Sequence, residues 1–246
     1  MLELTVSGAV FFEPTSVLKS IRIIPSIAAS LSAKPNSTSA PIAFASPNIL
    51  ELRELWRETQ SDNVDLTSSP TWWKAIDSFS LNSRFRMELE NLAKLPASPQ
   101  SKTTGTLSFL TEEGIAQMAI NLLPFFQHLV IKCGERGVMV VMRVSSQTKW
   151  ASEKSNVRGR YIVSGGSGNG DIVVLHHFPA NVLPQESIVN VTGAGDTLVA
   201  SVLASLVQNP KGFEDPESLG KIIEDAQVAA VLTLRSEFSV SPSLSL

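Results

Sequence analysis

Val189-Asn190-Val191-Thr192-Gly193-Ala194-Gly195-Asp196 is the stretch on which the reading of this chain turns. Its β-branched run predicts a strand over 188–191 that enters small residues and then a helix. The helix follows from Leu198, Val199, Val202, Leu203, Leu206 and Val207, which recur at helical spacing. Gly193 and Gly195 carry no Cβ, so backbone N–H groups there can approach an anion closely. The positive end of the helix behind them adds to that attraction. Asp196 falls in the first helical turn, where it is either the carboxylate that serves chemistry beside an anion or an acid that merely complements the dipole.

Working outward, residues 128–133 and 138–144 read as strands joined by the tight turn Gly134-Glu135-Arg136-Gly137, and 171–178 as a third strand. Residues 8–12 form a short apolar run stopped by Glu13-Pro14-Thr15, which predicts a buried strand, and 41–46 predict another. Pro47-Asn48-Ile49-Leu50-Glu51 turns into a helix through Trp56, and residues 16–24 begin an earlier one. Residues 26–41, rich in Ser, Ala and Pro, read as a loop or weak helix. Segments 60–69 and 96–106 are turn-prone and linker-like. The helical stretch 72–95 between them is expected to be a surface insertion, about 57–106, anchored by Trp72-Trp73. Helices are predicted over 112–126 and 219–234. Strands alternating with helices specify an α/β layered fold, with helices packed on a mostly parallel sheet.

Hydrophobic residues make up 43% of the 246 positions and charged residues 17%, a balance that suits a packed core and is far from the polar, highly charged signature of disorder. The net charge of −3 offers no basic field, so nucleic acid is not an expected partner. The apolar runs are too short and interrupted to span a bilayer, and no membrane partner is expected. Cys133 is the only cysteine, which excludes an intrachain disulfide and fits a reducing, cytoplasmic setting. It reads as a small buried residue rather than a nucleophile. His176 and His177 are adjacent on a strand and point to opposite faces, so they make no metal pair. Gly166-Ser167-Gly168-Asn169-Gly170 opens no helix and lacks the lysine spacing of a phosphate loop, which makes it a turn.

Thr192-Gly193-Ala194-Gly195-Asp196 followed by an apolar helix resembles the second signature of PfkB-type (ribokinase-like) carbohydrate and nucleoside kinases. The resemblance implies a three-layer α/β/α sandwich, N-terminally truncated, with residues 1–246 forming the C-terminal part of a kinase domain. It implies that Asp196 is the catalytic base and that Gly193, Ala194 and Gly195 form an anion hole for the transferred phosphoryl group. Such transfer needs positioning and charge neutralisation more than covalent catalysis. Asn48-Ile49-Leu50-Glu51 is similar to the family's Asn-x-x-Glu element, which implies that Asn48 and Glu51 organise Mg²⁺ through water. The same pair also reads as a helix cap. Ile131-Lys132-Cys133-Gly134-Glu135-Arg136-Gly137-Val138 is similar to the family's strand and Gly-rich turn beside the ATP phosphates, carrying Lys132, Gly134 and Gly137. A plain hairpin reads equally from those residues. Asn190 and Thr192 fall where many members bind a monovalent cation, although ribokinase-like members have an aspartate at the first position.

Phe11-Phe12-Glu13-Pro14-Thr15-Ser16-Val17-Leu18-Lys19 and Ala226-Gln227-Val228-Ala229-Ala230-Val231-Leu232-Thr233-Leu234, with the motifs above, look like the pseudouridine kinase branch. That branch includes the kinase half of enzymes fused to a pseudouridine glycosidase, and implies ATP, Mg²⁺ and a small nucleoside or sugar substrate. The implied partner is such a glycosidase or an N-terminal kinase part. The family's Gly-Gly sugar signature and lid strands have no counterpart in this sequence, so a largely absent acceptor pocket, an exposed sheet edge and weak activity alone are expected. Two other readings share these residues: a PfkB-type kinase for a different sugar or nucleoside, and an inactive fragment that acts by association.

Overall fold

A computed structural model describes residues 3–6, 9–35, 37–164 and 171–244. In chain order the first elements are β1 (Glu3–Val6), β2 (Ala9–Phe12), α1 (Val17–Ser20), α2 (Ile24–Ala33), β3 (Ile42–Ala45) and α3 (Ile49–Thr59). Next come α4 (Pro70–Ser78), α5 (Ser83–Ala93), β4 (Pro96–Ser98), β5 (Ser101–Thr106), α6 (Phe109–Glu112) and α7 (Ile115–Leu122). The remainder is β6 (Phe126–Lys132), β7 (Val138–Ser145), β8 (Tyr161–Val163), β9 (Asp171–Phe178), α8 (Ala194–Gln208) and α9 (Pro216–Leu234).

Seven strands make one sheet in the order β1-β2-β3-β6-β7-β9-β8, and β4 with β5 make a separate hairpin. Successive strand residues point to opposite faces, and both faces are covered. Phe12, Ala45, Leu129, Ile131 and Val141 join the cluster built with α2, α3, α4, α5 and α7. Phe11, Val130, Val140, Met142 and Val174 join the cluster built with α8 and α9. The result is three layers, helices on either side of the sheet. Burial on both faces explains why β7 is an almost unbroken apolar run.

Parallel pairing links β2 to β3 and β3 to β6. Elsewhere in the described sheet, β1–β2, β6–β7, β7–β9 and β8–β9 pair antiparallel. The expectation of a mostly parallel sheet therefore holds for its helix-connected half. Beyond it, the turn at Gly134–Arg136 is far shorter than the dozen residues that a parallel crossover needs.

One local reading is settled and three change. Residues 26–33, expected as loop or weak helix, are helical and complete α2, because Ile24 and Ile27 anchor it in the core. Residues 188–191 are not a strand: the Val189 and Asn190 N–H groups donate to the Leu234 carbonyl at the end of α9 (2.8 and 3.2 Å), with no ladder partner. Segment 57–106, expected on the surface, carries Trp72, Phe79, Phe85 and Leu92 into the core beneath the sheet. The linker-like 96–106 folds as the β4–β5 hairpin, with Ala97 and Ser98 buried. Trp72 Nε1 donates to the Asn121 carbonyl (3.0 Å), while Trp73 is exposed. The glycine-rich turn at 166–170, like Gly8, lies outside the described residues.

Candidate active site

The three parallel strands end side by side, and the residues that follow or close them carry the charge. Glu13 follows β2, Asn48 stands beyond β3, and Lys132 is the last residue of β6. The ends are tied by backbone bonds: Ser46 N–H donates to the Phe12 carbonyl (3.1 Å) and Lys132 N–H to the Pro47 carbonyl (2.9 Å). A parallel bridge pairs Asn48 with Lys132. Strand alternation sets the direction of the side chains. Glu13 has the parity of Phe11 and Lys132 that of Val130, which puts both on the face covered by α8. The crevice outside the carboxyl ends of parallel strands is where α/β sheets receive ligands.

Helix α8 begins at this same end. Gly193 precedes it in the left-handed region (φ 83°), and a Cβ there would collide with the Ser239 carbonyl oxygen. Only glycine fits this turn. Among the described residues no side chain caps the helix, so its first N–H groups have no partner within it. A Cβ on Gly195 would lie 3.5 Å from Lys132 Cδ, so the lysine stem runs directly past the turn. Its ammonium is paired with the Glu13 carboxylate through Oε1.

Glu13 is the residue that reading the sequence missed. Burial pushes its carboxyl up to about 7, Lys132 pulls it back, and the charges of Glu51 and Asp196 raise it further. Its second oxygen, Oε2, is buried without a hydrogen-bond partner among the described residues. The available signal was an acid set just past a buried strand, in register with that strand's inward face.

Asn48 and Glu51 form a complete capping box at the start of α3: Asn48 N–H donates to Glu51 Oε2 (2.8 Å) and Glu51 N–H to Asn48 Oδ1 (2.9 Å). Glu51 is buried. Asp196 lies in the first turn of α8 and is exposed. Gly134 and Gly137 both take positive φ in the β6–β7 hairpin, where Cys133 N–H donates to the Gly137 carbonyl (2.8 Å). Arg136 in that turn points aside, onto Glu113 (3.5 Å) and over the Phe109 ring (4.1 Å). Asn190 Oδ1 accepts from Thr192 N–H (2.9 Å), and its amide nitrogen lies 3.4 Å from the Glu237 carbonyl. Cys133 is buried, and burial pushes its thiol up to about 12. Among the described residues, no group of three or more His, Cys, Asp or Glu side chains could hold a metal directly, and no helix is long and apolar enough to cross a membrane.

An uncapped helix start, a lysine laid along it and the acids Glu13, Glu51 and Asp196 thus meet at the carboxyl edge of the parallel strands of an α/β protein. Residues 88–244 match the pfkB family of carbohydrate kinases, and the chain belongs to that family. It is 29% identical over 248 residues to a pseudouridine-metabolizing bifunctional protein of Schizosaccharomyces pombe. That match takes in 99% of this chain and 28% of the relative's length. Among solved structures it resembles the adenosine kinase of Sinorhizobium meliloti, at TM-score 0.42 and 13% identity over 96% of this chain and 42% of that one. It also resembles the aminoimidazole riboside kinase of Salmonella enterica, at TM-score 0.40 and 16% identity over 95% of this chain and 48% of that one.

Proposed function

We propose that the chain is the nucleotide-binding and catalytic part of a kinase that transfers the terminal phosphoryl group of ATP to a nucleoside 5′-hydroxyl, with pseudouridine as the acceptor. The observation that carries this reading is the Lys132 stem lying against Gly195, at the uncapped start of α8 and next to Asp196 in the chain. In the reaction the acceptor oxygen bonds to the terminal phosphorus while the bond from that phosphorus to the bridging oxygen breaks. The hydroxyl proton passes to Asp196, and ADP leaves. The N–H groups of Gly193, Ala194 and Gly195 hold the phosphoryl oxygens, and the Lys132 ammonium offsets their charge.

Mg²⁺ would supply, when bound, neutralisation of the charge on the transferred phosphoryl group. Such an ion needs only one or two carboxylates besides phosphate and water, and Glu51 with Asn48 at the start of α3 suits that demand. Gly134 and Gly137 keep the turn after Lys132 low beside the nucleotide. Asn190 and Thr192 are the backbone-anchored candidates for a monovalent cation.

The substrate assignment rests on the motifs shared with the pseudouridine kinase branch and on the pseudouridine-metabolizing relative. The test compares pseudouridine, uridine, adenosine and ribose in a coupled ADP-release assay, using the chain alone and the chain joined to the first half of a pseudouridine kinase. Pseudouridine-dependent release is expected from the joined protein. Turnover of ribose or adenosine without pseudouridine would sink the narrower assignment, and failure of the chain to bind MgATP in calorimetry would sink the whole reading.

A further inference from the structure

The ion pair between Glu13 and Lys132 stands where the phosphate is expected, and the reaction described above gives Glu13 no part. Both side chains are largely enclosed, at 13% and 16% exposure. The lysine is committed at both ends: its stem rests beside Gly195 and its ammonium sits on Glu13 Oε1. The other carboxyl oxygen is buried with no partner among the described residues. An anion that enters at the start of α8 meets an ammonium that already has a carboxylate.

We infer that Glu13 is the internal competitor of the nucleotide phosphate: it is the seated partner of Lys132, and a phosphate gains that ammonium only by displacing it. The inference rests on the reading that Lys132 and the Gly193–Gly195 turn receive phosphate. Glu13 thereby sets the affinity of the site for anions while touching none of the reacting atoms. A phosphate with two or more charges can win this exchange and a singly charged anion cannot, because charge-assisted pairs strengthen with the charge of the acceptor. The groups that face Glu13 are Lys132 from β6, Glu51 from α3 and Asp196 from α8. The two acids make the carboxylate a poor permanent partner, which burial reinforces, and the lysine is released the more readily.

The experiment measures MgATP affinity by calorimetry, with a melting curve for each protein, on the 246-residue chain and three variants. Glu13→Gln keeps the size and one acceptor oxygen but removes the competing charge, and it should bind MgATP about 3–10-fold more tightly than the parent. Lys132→Met should bind about 10-fold more weakly. The double variant should match Lys132→Met alone, because Glu13 acts only through the lysine. If Glu13→Gln does not fold, the double variant, which buries no unpaired charge, still decides: affinity clearly different from that of Lys132→Met overturns the inference. A folded Glu13→Gln that binds MgATP no more tightly than the parent shows the pair to be purely structural and overturns it too. A parent that binds no MgATP removes both this inference and the phosphate-site reading beneath it. A parent that binds, with Lys132→Met weakened and Glu13→Gln unmoved, removes this inference alone.

Discussion

The two halves of the sheet place their buried polar groups differently. In the parallel half, β2, β3 and β6 are linked through helices, so their carboxyl ends are open and hold Glu13, Lys132 and the Asn48 cap together. In the antiparallel half, made of β7, β9 and β8, Arg160 and His177 bind their own neighbours, while Arg143 Nη1 and His176 Nδ1 are buried without a hydrogen-bond partner among the described residues. Arg160, itself at φ 65°, donates to the Pro96 carbonyl (2.8 Å) and reaches His177 Nδ1 (3.1 Å). The proton of His177 then belongs on Nε2, which donates to the Arg136 carbonyl (2.6 Å). One half leaves a charge unanswered at an edge that a ligand can reach. The other keeps its two unpartnered atoms inside the sheet, Arg143 beside Asp171 and His176 among the rings of Trp150, Tyr161 and Phe178.

The strongest way to break this contrast is Asp196→Asn. In the chain joined to the first half of a pseudouridine kinase, phosphoryl transfer should fall by at least ~10²–10⁴-fold in steady-state rates while MgATP affinity holds, because only the proposed proton acceptor is lost. Near-normal turnover with a lowered melting point would make Asp196 a mere dipole partner, worth on the order of 0.3–1 kcal/mol.

The antiparallel half should respond in stability instead. Trp150 is fully buried and donates from Nε1 to the Phe213 carbonyl (2.9 Å). Trp150→Ala should cost about 3–5 kcal/mol in a denaturant titration. A loss under about 1 kcal/mol would mean that this half does not lean on that burial. Gly193→Ala comes next, since it forces a Cβ into left-handed backbone and against Ser239. It should cost roughly 1–3 kcal/mol and abolish MgATP binding in calorimetry, whereas retained binding would show the turn to be plastic.

The smallest effect is on the pH dependence of stability, where the histidines and Glu13 act with opposite signs. Burial pushes His128 and His176 down to about 3 and His177 to about 4, so their contribution to stability is present above the ordinary 6.5 and is lost as pH falls through it. Glu13, raised from 4.5 to about 7, has the opposite sign: its contribution is present below 4.5 and lost as pH rises through 7. Three groups outweigh one, so melting temperature should fall between pH 7 and pH 5. His128 sits between Phe44 and Phe213 with Nδ1 unpartnered among the described residues. His128→Phe should recover about 2 kcal/mol at pH 5 relative to pH 7. An unchanged pH slope would show that His128 takes up no proton on unfolding.

What the sequence made legible was local. The capping residues at Asn48, the turn glycines 134 and 137, the apolar stripe of α8 and the strands at 41–46, 128–133, 138–144 and 171–178 each declare themselves within a dozen residues. What stayed hidden depends on partners far along the chain. Glu13 reads as a strand stop until β6 brings Lys132 across two pairings to meet it. Residues 188–191 have strand composition, yet α9 supplies their hydrogen bonds from Leu234 and no ladder forms. The polar 96–106 looked like a linker because the bonds that bury it come from Arg160.

The wall that Ser239 raises against Gly193 has a consequence for how the protein is made. Thr233 Oγ1 meets Thr197 Oγ1 (3.0 Å) and accepts from Ser241 N–H (3.3 Å), so the turn leans on residues synthesised well after it. Strands β2, β3 and β6 can pair as they leave the ribosome, since domains organise from the N-terminal side during synthesis. The turn at Gly193 is not walled in until Ser239 has followed. A nascent chain therefore carries its strand sequences before it carries the residue that closes on Gly193.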